Sequence, residues 1–281
     1  MDTPAAKDGK GYALVDSSFI NPVCRVQVIQ YKRDLVVNFQ DRLVPNKPGG
    51  GLRGEITRWS RPSIRRFMLM VKNASCEWIS LITLTYPGEY CADGKAVKRH
   101  LNGFLQYLRR LEVSYCWVLE FQDRGAPHFH ILVSGFVPKD EVALRWFKLV
   151  GSGDTKHLVA GTRVEGVKGD KDRLLRYLFS YLKKKSQKQV PPEYKEVGRF
   201  WGSTRKLLRE VGKIVVRCKE FEARRVLRIV RKYYERKIKS WGFTWKWAKQ
   251  RGFIGWECAA VWDRFLSDPK SKFTFGGALC M

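Results

Sequence analysis

Two histidines and one glutamate have the residue types and spacing of a metal-binding site. His128 and His130 lie two residues apart in an apolar, β-prone run, so in a strand both imidazoles point to the same face. Glu120 lies near the end of a preceding β-prone run, Tyr115 to Phe121, which pairs with the histidine run as a hairpin. Such a hairpin brings the carboxylate beside the two rings and makes a three-ligand site with open coordination positions. The alternative is that both histidines make ordinary hydrogen bonds at the surface or in the core.

Two tyrosines and a lysine share one side of a predicted helix. Tyr177 and Tyr181 are four residues apart in the amphipathic segment Lys171 to Lys185, and Lys184 follows three residues after Tyr181. The spacing therefore places the three polar ends on the same side, away from a stripe of leucines. The tyrosines are equally compatible with amphipathic residues that pack at the edge of the core.

The elements around these groups follow from hydrophobic periodicity. Trp78 to Tyr86 predicts a strand in which Leu81, Thr83 and Thr85 share one face. Gly54 to Asn73 has a helical pattern with Ser60 as a candidate N-cap. Residues 151–154 form a loop that lacks the spacing of a phosphate-binding loop, so no nucleoside-triphosphate site is expected. The other predicted elements are helices at Gly94–Glu112, Lys139–Val150 and Glu220–Lys239 and strands at Val23–Ile29, Leu158–Val167 and Gly212–Cys218.

The charge balance predicts a polyanionic partner. The chain has 54 Lys and Arg against 27 Asp and Glu, a formal net charge of +27, which is more than solubility needs. Residues 181–281 carry 26 of the basic and 9 of the acidic residues. Nucleic acid is favoured over a membrane surface because the basic residues are spread through Trp-rich sequence instead of one amphipathic helix. Five tryptophans from Trp241 onwards suit base stacking, and a small Trp-rich core is an equal alternative.

Length and punctuation predict three regions. The 281 residues, 44% of them hydrophobic, suffice for one large or two modest cores. Glycines at 49–51 and prolines at 191–192 mark boundaries, which predicts an N-terminal extension at 1–55, a catalytic domain at 56–190 and a basic, helical, Trp-rich DNA-binding region at 191–281. Seven cysteines without a C-x-x-C pair and no long apolar run favour a cytoplasmic protein without a membrane partner.

Three segments in a fixed order resemble the three motifs of the HUH endonuclease superfamily. They read LITLTYP at Leu81–Pro87, PHFHILV at Pro127–Val133 and YLFSYLKK at Tyr177–Lys184. The nearest resemblance is to rolling-circle replication initiators (Rep proteins) of bacterial plasmids and small single-stranded DNA phages, and it covers roughly residues 56–205. It implies an α+β fold with a five-stranded antiparallel, RRM-like sheet that is flanked by helices and bears the active site on one face.

The resemblance also implies a metal site. His128 and His130 correspond to the metal ligands, and Glu120 is the match for the third ligand, which varies across the superfamily. Gln122, two residues further on and of the same strand parity, is the alternative. Mg²⁺ or Mn²⁺ is the expected cofactor, because oxygen ligands share the site with the imidazoles.

Tyr177 and Tyr181 correspond to the nucleophile positions of that superfamily, and Lys184 to the lysine of its two-tyrosine pattern. Ser180 departs from the pattern, since many two-tyrosine members carry lysine before the second tyrosine. The sequence therefore leaves open which tyrosine attacks first. The candidate DNA-binding residues are all basic: Arg61, Arg65, Arg66, Lys183, Lys185, Arg224, Arg228, Arg231 and Lys232.

The implied activity is metal-dependent nicking and rejoining of single-stranded DNA through a 5′-phosphotyrosine, which starts and ends rolling-circle replication. The expected partners are single-stranded DNA at a replication origin, a hairpin form included, and the helicase and polymerase of a bacterial host. Two alternatives remain. One is a transposase or relaxase of the same superfamily. The other is a non-catalytic single-stranded nucleic-acid-binding protein whose histidines are structural and whose tyrosines stack on bases.

Overall fold

The structure, a computed structural model, describes residues 13–14, 24–40, 54–90, 92–167, 189–205, 207–208, 212–218, 228, 231–232, 235–236, 239–240, 242 and 252–255. Contacts divide the chain into two compact units, Gly51–Leu208 and a unit made of Met1–Gly50 with Arg209–Met281. The elements with described bounds are, in chain order, β1 (Ala13–Leu14), β2 (Cys24–Gln30), β3 (Leu35–Gln40), α1 (Arg61–Lys72), β4 (Ser80–Thr85), α2 (Gly94–Arg110), β5 (Tyr115–Phe121), β6 (Pro127–Val133), α3 (Lys139–Val150), α4 (Thr155–Ala160), β7 (Thr162–Gly166), β8 (Trp201–Ser203), β9 (Gly212–Cys218) and β10 (Gly252–Gly255).

The unit of residues 51–208 is built on a five-stranded antiparallel sheet flanked by helices. The strand order is β7-β4-β6-β5-β8, and each neighbouring pair is antiparallel. The chain order β4-α2-β5-β6-α3-β7 is the split β-α-β arrangement, in which a later strand inserts between two earlier ones. The predicted α+β fold with a five-stranded antiparallel sheet is confirmed.

One face of this sheet packs on α2 and α3 around a single tryptophan. Trp146 of α3 is fully buried, and its ring lies 5.3–6.5 Å from four other rings, those of Tyr86, His100, Phe104 and Phe129. Because side chains alternate along a strand, Phe129 on this face leaves its neighbours His128 and His130 on the other face. The aromatic core thus fixes which side of the sheet carries the histidines.

The opposite face is partly covered by α1. This helix begins at Arg61 because Ser60 caps it: the Ser60 Oγ atom accepts a hydrogen bond from the Ser63 backbone N–H, and a proline follows in the first turn. The predicted cap is therefore confirmed, although the helix is shorter than the predicted span. Phe67 packs edge-on against Trp201 of β8 at 5.7 Å, and Trp201 Nε1 donates to Ser63 Oγ at 2.9 Å.

The segment that follows α3 corrects one prediction. The helix predicted at Lys139–Val150 is confirmed and ends at Gly151, whose φ of 64° suits glycine. The predicted strand Leu158–Val167 is wrong in its first part, because residues 155–160 form α4 and only residues 162–166 form β7. The helix starts there because Asp154 caps it, accepting a hydrogen bond from the Lys156 N–H.

The second unit contains another five-stranded sheet, with strand order β1-β9-β2-β3-β10. Strands β2, β3, β9 and β10 pair antiparallel, and β1 pairs parallel with β9. Strands from the predicted N-terminal extension therefore pair with strands from the predicted C-terminal region. The three-domain assignment stays a prediction. Among the described residues, every helix is too short or too polar to span a membrane.

Replacing Trp146 with Phe should lower the free energy of unfolding by about 2–4 kcal/mol, because it leaves a cavity and removes the Trp146 Nε1 hydrogen bond to Thr85 O. Urea unfolding followed by circular dichroism measures this change. Phe136→Ala is the control, because Phe136 is 73% exposed and its loss should cost less than about 0.5 kcal/mol. Equal effects of the two substitutions would contradict the central role of Trp146.

Candidate functional site

The candidate site lies on the β5–β6 hairpin, at the end of the sheet nearest the turn. Glu120 of β5 stands directly opposite His128 of β6. The ring centroids of His128 and His130 are 4.6 Å apart, and His130 Nε2 lies 3.5 Å from Glu120 Oε2. The hairpin and the juxtaposition predicted from the sequence are therefore both present.

Two threonines on the neighbouring strand hold the imidazoles. Thr85 Oγ1 lies 3.1 Å from His128 Nδ1, and Thr83 Oγ1 lies 3.4 Å from His130 Nδ1. Each hydroxyl engages Nδ1 and leaves Nε2 as the second ring nitrogen, an arrangement that commonly orients metal-binding histidines. Sequence reasoning put both threonines on one strand face but did not select them as site residues. The signal was present, because their alternation matches that of the two histidines.

The backbone of Thr85 ties the site to the core. Its carbonyl oxygen accepts a hydrogen bond from Trp146 Nε1 at 2.8 Å and lies 2.8 Å from His157 Nε2. Because a carbonyl only accepts, the His157 proton is on Nε2, which leaves Nδ1 to accept from Ser152 Oγ at 2.8 Å. Thr85 is thus fixed through both its carbonyl and its hydroxyl, and His128 inherits that position.

The site is nearly closed to solvent. Glu120 is 3% exposed and His130 is 5% exposed. The Glu120 Oε1 atom is buried and has no hydrogen-bond partner among the described residues. Burial lowers the pKa of His128 to about 3, and the positive charges of His130 and Arg124 add to the effect. His128 is therefore neutral at physiological pH, the form in which an imidazole binds a metal ion.

The turn of the hairpin is locked by one arginine. Arg124 donates hydrogen bonds to the backbone oxygens of Tyr86, Pro87 and Gly88 in the segment after β4. Its Nε atom donates to Gln122 Oε1 at 3.0 Å. Gln122, the alternative third ligand, is therefore engaged in the turn, whereas Glu120 lies beside His130. Gly125 completes the turn with a φ of 82°, where a side chain would be strained.

Two imidazoles and one carboxylate are a suitable donor set for a divalent ion. The buried, unsatisfied Glu120 Oε1 is a position where such an ion would compensate a costly negative charge. Within the described residues no three His, Cys, Asp or Glu side chains converge as a preformed metal site. Binding by Glu120, His128 and His130 together would thus require small side-chain rotations.

The other predicted site residues are distributed over both units. Arg61, Arg65 and Arg66 are exposed on α1. In the second unit Arg228, Arg231 and Lys232 are helical, with Arg228 and Lys232 exposed and Arg231 half-buried. The remaining predicted residues lie outside the described part of the chain: Tyr177, Tyr181, Lys183, Lys184, Lys185 and Arg224.

Residues 79–186 match the model of a family of replication-associated proteins, the ORF2 type. The matched segment is less than half of the chain, yet it contains all three motifs named from the sequence, the segment with Tyr177 and Tyr181 included. The match links this unit to replication-associated proteins. Comparison with curated proteins gives no match, and comparison with solved structures gives none either.

In the folded protein the His128 ring should stay neutral from pH 7 down to about pH 4, because its pKa lies near 3 instead of 6.5. The unfolded chain binds a proton at this ring below pH 6.5, so this histidine makes stability fall as the pH is lowered from 6.5 towards 3. NMR titration of the histidine ring protons without divalent ions measures this directly.

The chain has only four histidines, and His128→Gln identifies the relevant signal. The same variant should show a shallower loss of stability between pH 6 and pH 4 than the unmodified protein. A His128 signal that titrates with a midpoint near pH 6.5 would show that the ring is solvated instead of buried.

Proposed function

We propose that this protein is a metal-dependent single-strand DNA endonuclease and strand transferase of the HUH type, which nicks and rejoins a replication origin in rolling-circle replication. The observation that carries the proposal is the cluster of Glu120, His128 and His130, held by threonine hydroxyls on a neighbouring strand. The match of residues 79–186 to a replication-associated family supports it.

The cluster suits phosphodiester chemistry. Mg²⁺ or Mn²⁺ held by Glu120, His128 and His130 would neutralise a non-bridging oxygen of the scissile phosphate and make the phosphorus easier to attack. The residues contribute a buried carboxylate, one imidazole that burial keeps neutral, and two ring orientations set by Thr83 and Thr85. A site of this kind is oriented before the DNA arrives, which is what electrostatic catalysis requires.

In the proposed reaction a tyrosine hydroxyl, of Tyr177 or Tyr181, attacks the phosphorus. The bond from phosphorus to the 3′ oxygen breaks, a 5′-phosphotyrosine forms, and the phenolic proton is transferred to the 3′ oxygen, which leaves as a free hydroxyl. Lys184 would stabilise the phenolate before attack. These three roles rest on the sequence motif and on the family match that spans it, since the residues lie outside the described part of the chain.

This chemistry accounts for the absence of a nucleoside-triphosphate motif in the sequence. The phosphodiester energy is kept in the covalent adduct, so rejoining needs no ATP, and the free 3′ hydroxyl can prime a host polymerase. Duplex opening would then depend on a separate host helicase. The net charge of +27 supports a nucleic-acid substrate, because each phosphate contact releases bound counterions.

A non-catalytic binding protein explains less. In that function Glu120 would be a buried carboxylate with one oxygen unsatisfied among the described residues, a cost of about 1–3 kcal/mol without a benefit. Binding of a divalent ion gives that oxygen a partner. The unsatisfied carboxylate therefore favours catalysis over binding alone.

Covalent capture tests the reaction. A random-sequence single-stranded DNA library with a fluorophore at the 3′ end should transfer its label to the protein with Mn²⁺ or Mg²⁺, because a 5′-phosphotyrosine keeps the downstream strand. The adduct is measured by denaturing electrophoresis. A label at the 5′ end should stay with the released DNA, which controls for nonspecific trapping.

The variants divide the roles in that assay. The double variant Tyr177→Phe, Tyr181→Phe should form no adduct, and the single variants show which tyrosine attacks first. His128→Ala should lower adduct formation at least 100-fold. A labelled adduct in the double variant would refute the tyrosine assignment, and no adduct with the unmodified protein would refute covalent nicking.

Thr85→Val tests the metal site without DNA. The change removes the hydroxyl that holds His128 Nδ1 but keeps the side-chain volume, so Mn²⁺ affinity should fall by about 10–100-fold. Isothermal titration calorimetry measures it. Thr162→Val on β7 is the matched control, because the Thr162 hydroxyl is buried and has no hydrogen-bond partner among the described residues. Unchanged affinity in Thr85→Val would reject the proposed support.

A further inference from the structure

A groove of about 650 Å³ lies beside β8, the edge strand of the sheet in the 51–208 unit. Its lining comes from residues 55–60, from the first two turns of α1 and from residues 199–203. The volume lies within the range of about 300–1,000 Å³ that is typical of ligand sites. Nothing in the proposed nicking reaction uses this groove.

The groove is strongly positive. Arg58, Arg66 and Arg199 line it, all three are exposed, and none forms a salt bridge with a described residue. Glu55 is the one carboxylate among the described lining residues, and its Oε1 atom accepts a hydrogen bond from the Glu196 backbone N–H. Guanidinium groups that have no carboxylate partner suit phosphate oxygens, which they bind in pairs of hydrogen bonds.

Two tryptophans add the contacts that a nucleic-acid strand would use. Trp59 is buried, stacks on Phe200 at 6.2 Å, and has an Nε1 donor that is buried without a hydrogen-bond partner among the described residues. An indole N–H in that state lacks an acceptor, and a ligand oxygen could supply it. Trp201 is half-buried, so part of its surface is open to contact with a base.

The groove is close to the His–Glu cluster within the same sheet. Trp201 of β8 stands opposite Val118 of β5, and Val118 stands opposite His130 of β6, so the three side chains share one face. Two strand spacings separate Trp201 from His130, roughly 10 Å. A strand of DNA that passes over the cluster therefore reaches the groove without leaving this face.

We infer that the groove is a second DNA contact, which binds the phosphates and one base of the single strand a short distance from the bond that is cut. The identity of the ligand rests on the proposed function, whereas the groove itself rests on its own residues. Its task would be to hold the strand in register while the cluster and the tyrosines act, since positioning raises the rate of phosphoryl transfer. Of the arginines predicted from the sequence to bind DNA, Arg66 lines the groove and its neighbours Arg61 and Arg65 do not.

Charge-matched variants test the inference. The groove variant is Arg58→Gln, Arg66→Gln, Arg199→Gln, and the control is Arg61→Gln, Arg65→Gln, Arg110→Gln, which removes the same charge from exposed positions outside the groove. Binding of a fluorescent random-sequence single-stranded oligonucleotide is measured by anisotropy at several salt concentrations in EDTA, so that no cutting occurs. The groove variant should bind at least tenfold more weakly and lose about two units of salt slope, because three phosphate contacts are gone. The control should lose less than about threefold.

A second variant tests the buried donor. Trp59→Phe keeps an aromatic ring but removes the N–H, and it should weaken binding by about threefold to tenfold while circular dichroism shows an unchanged fold. Equal losses in the groove and control variants, or no loss in the groove variant, would overturn the inference. Competition by a duplex of the same length as strong as by the single strand would overturn the single-strand assignment.

The result can be separated from that of the nicking assay. If the unmodified protein forms no covalent adduct but the groove variant still loses binding selectively, the groove stands and the nicking proposal falls. If the unmodified protein forms the adduct and the groove variant binds like the control, the groove inference falls alone.

Discussion

The pairing register of the β5–β6 hairpin is the constraint on which the rest of the site depends. With Glu120 opposite His128, the polar side chains of both strands share one face and Phe129 enters the aromatic core. A slip of one residue would exchange the two faces and put imidazoles against Trp146. The turn prevents this, because Gln122 N–H bonds to Ala126 O and Gly125 adopts a φ that few other residues tolerate.

Strand β4 then couples the site to the core through a single residue. Thr85 presents its hydroxyl to His128 on one side, while its carbonyl receives the indole N–H of Trp146 and the ring of His157. Packing energy from the aromatic cluster is therefore used to fix an imidazole. Because side chains in a close-packed interior have few alternative positions, the orientation of His128 is set before any ligand binds.

Local pattern was enough to predict the parts of the fold that local sequence determines. The hairpin strands at 115–121 and 127–133 and the helix at 139–150 have clear periodicity and clear punctuation, and each has its predicted bounds. The pairing of β8 with β5 could not be predicted, because it joins residues far apart in sequence and β8 is only three residues long. The role of Thr83 and Thr85 was missed for the same reason, since register between strands, not residue type, brings each hydroxyl to its histidine.

The buried carboxylate is where the sequence departs from what folding alone would select. The chain has twice as many basic as acidic residues, yet Glu120 is buried beside an imidazole 3.5 Å away, and one of its oxygens has no hydrogen-bond partner among the described residues. A Gln or an apolar residue at the same position on β5 would remove the charge and cost less to bury. Exposed arginines are available on α1, but the described residues place none of their guanidinium groups in a salt bridge with Glu120. A position that violates the rules of burial without local compensation is typical of a functional site, and a bound cation is the partner that would remove the violation.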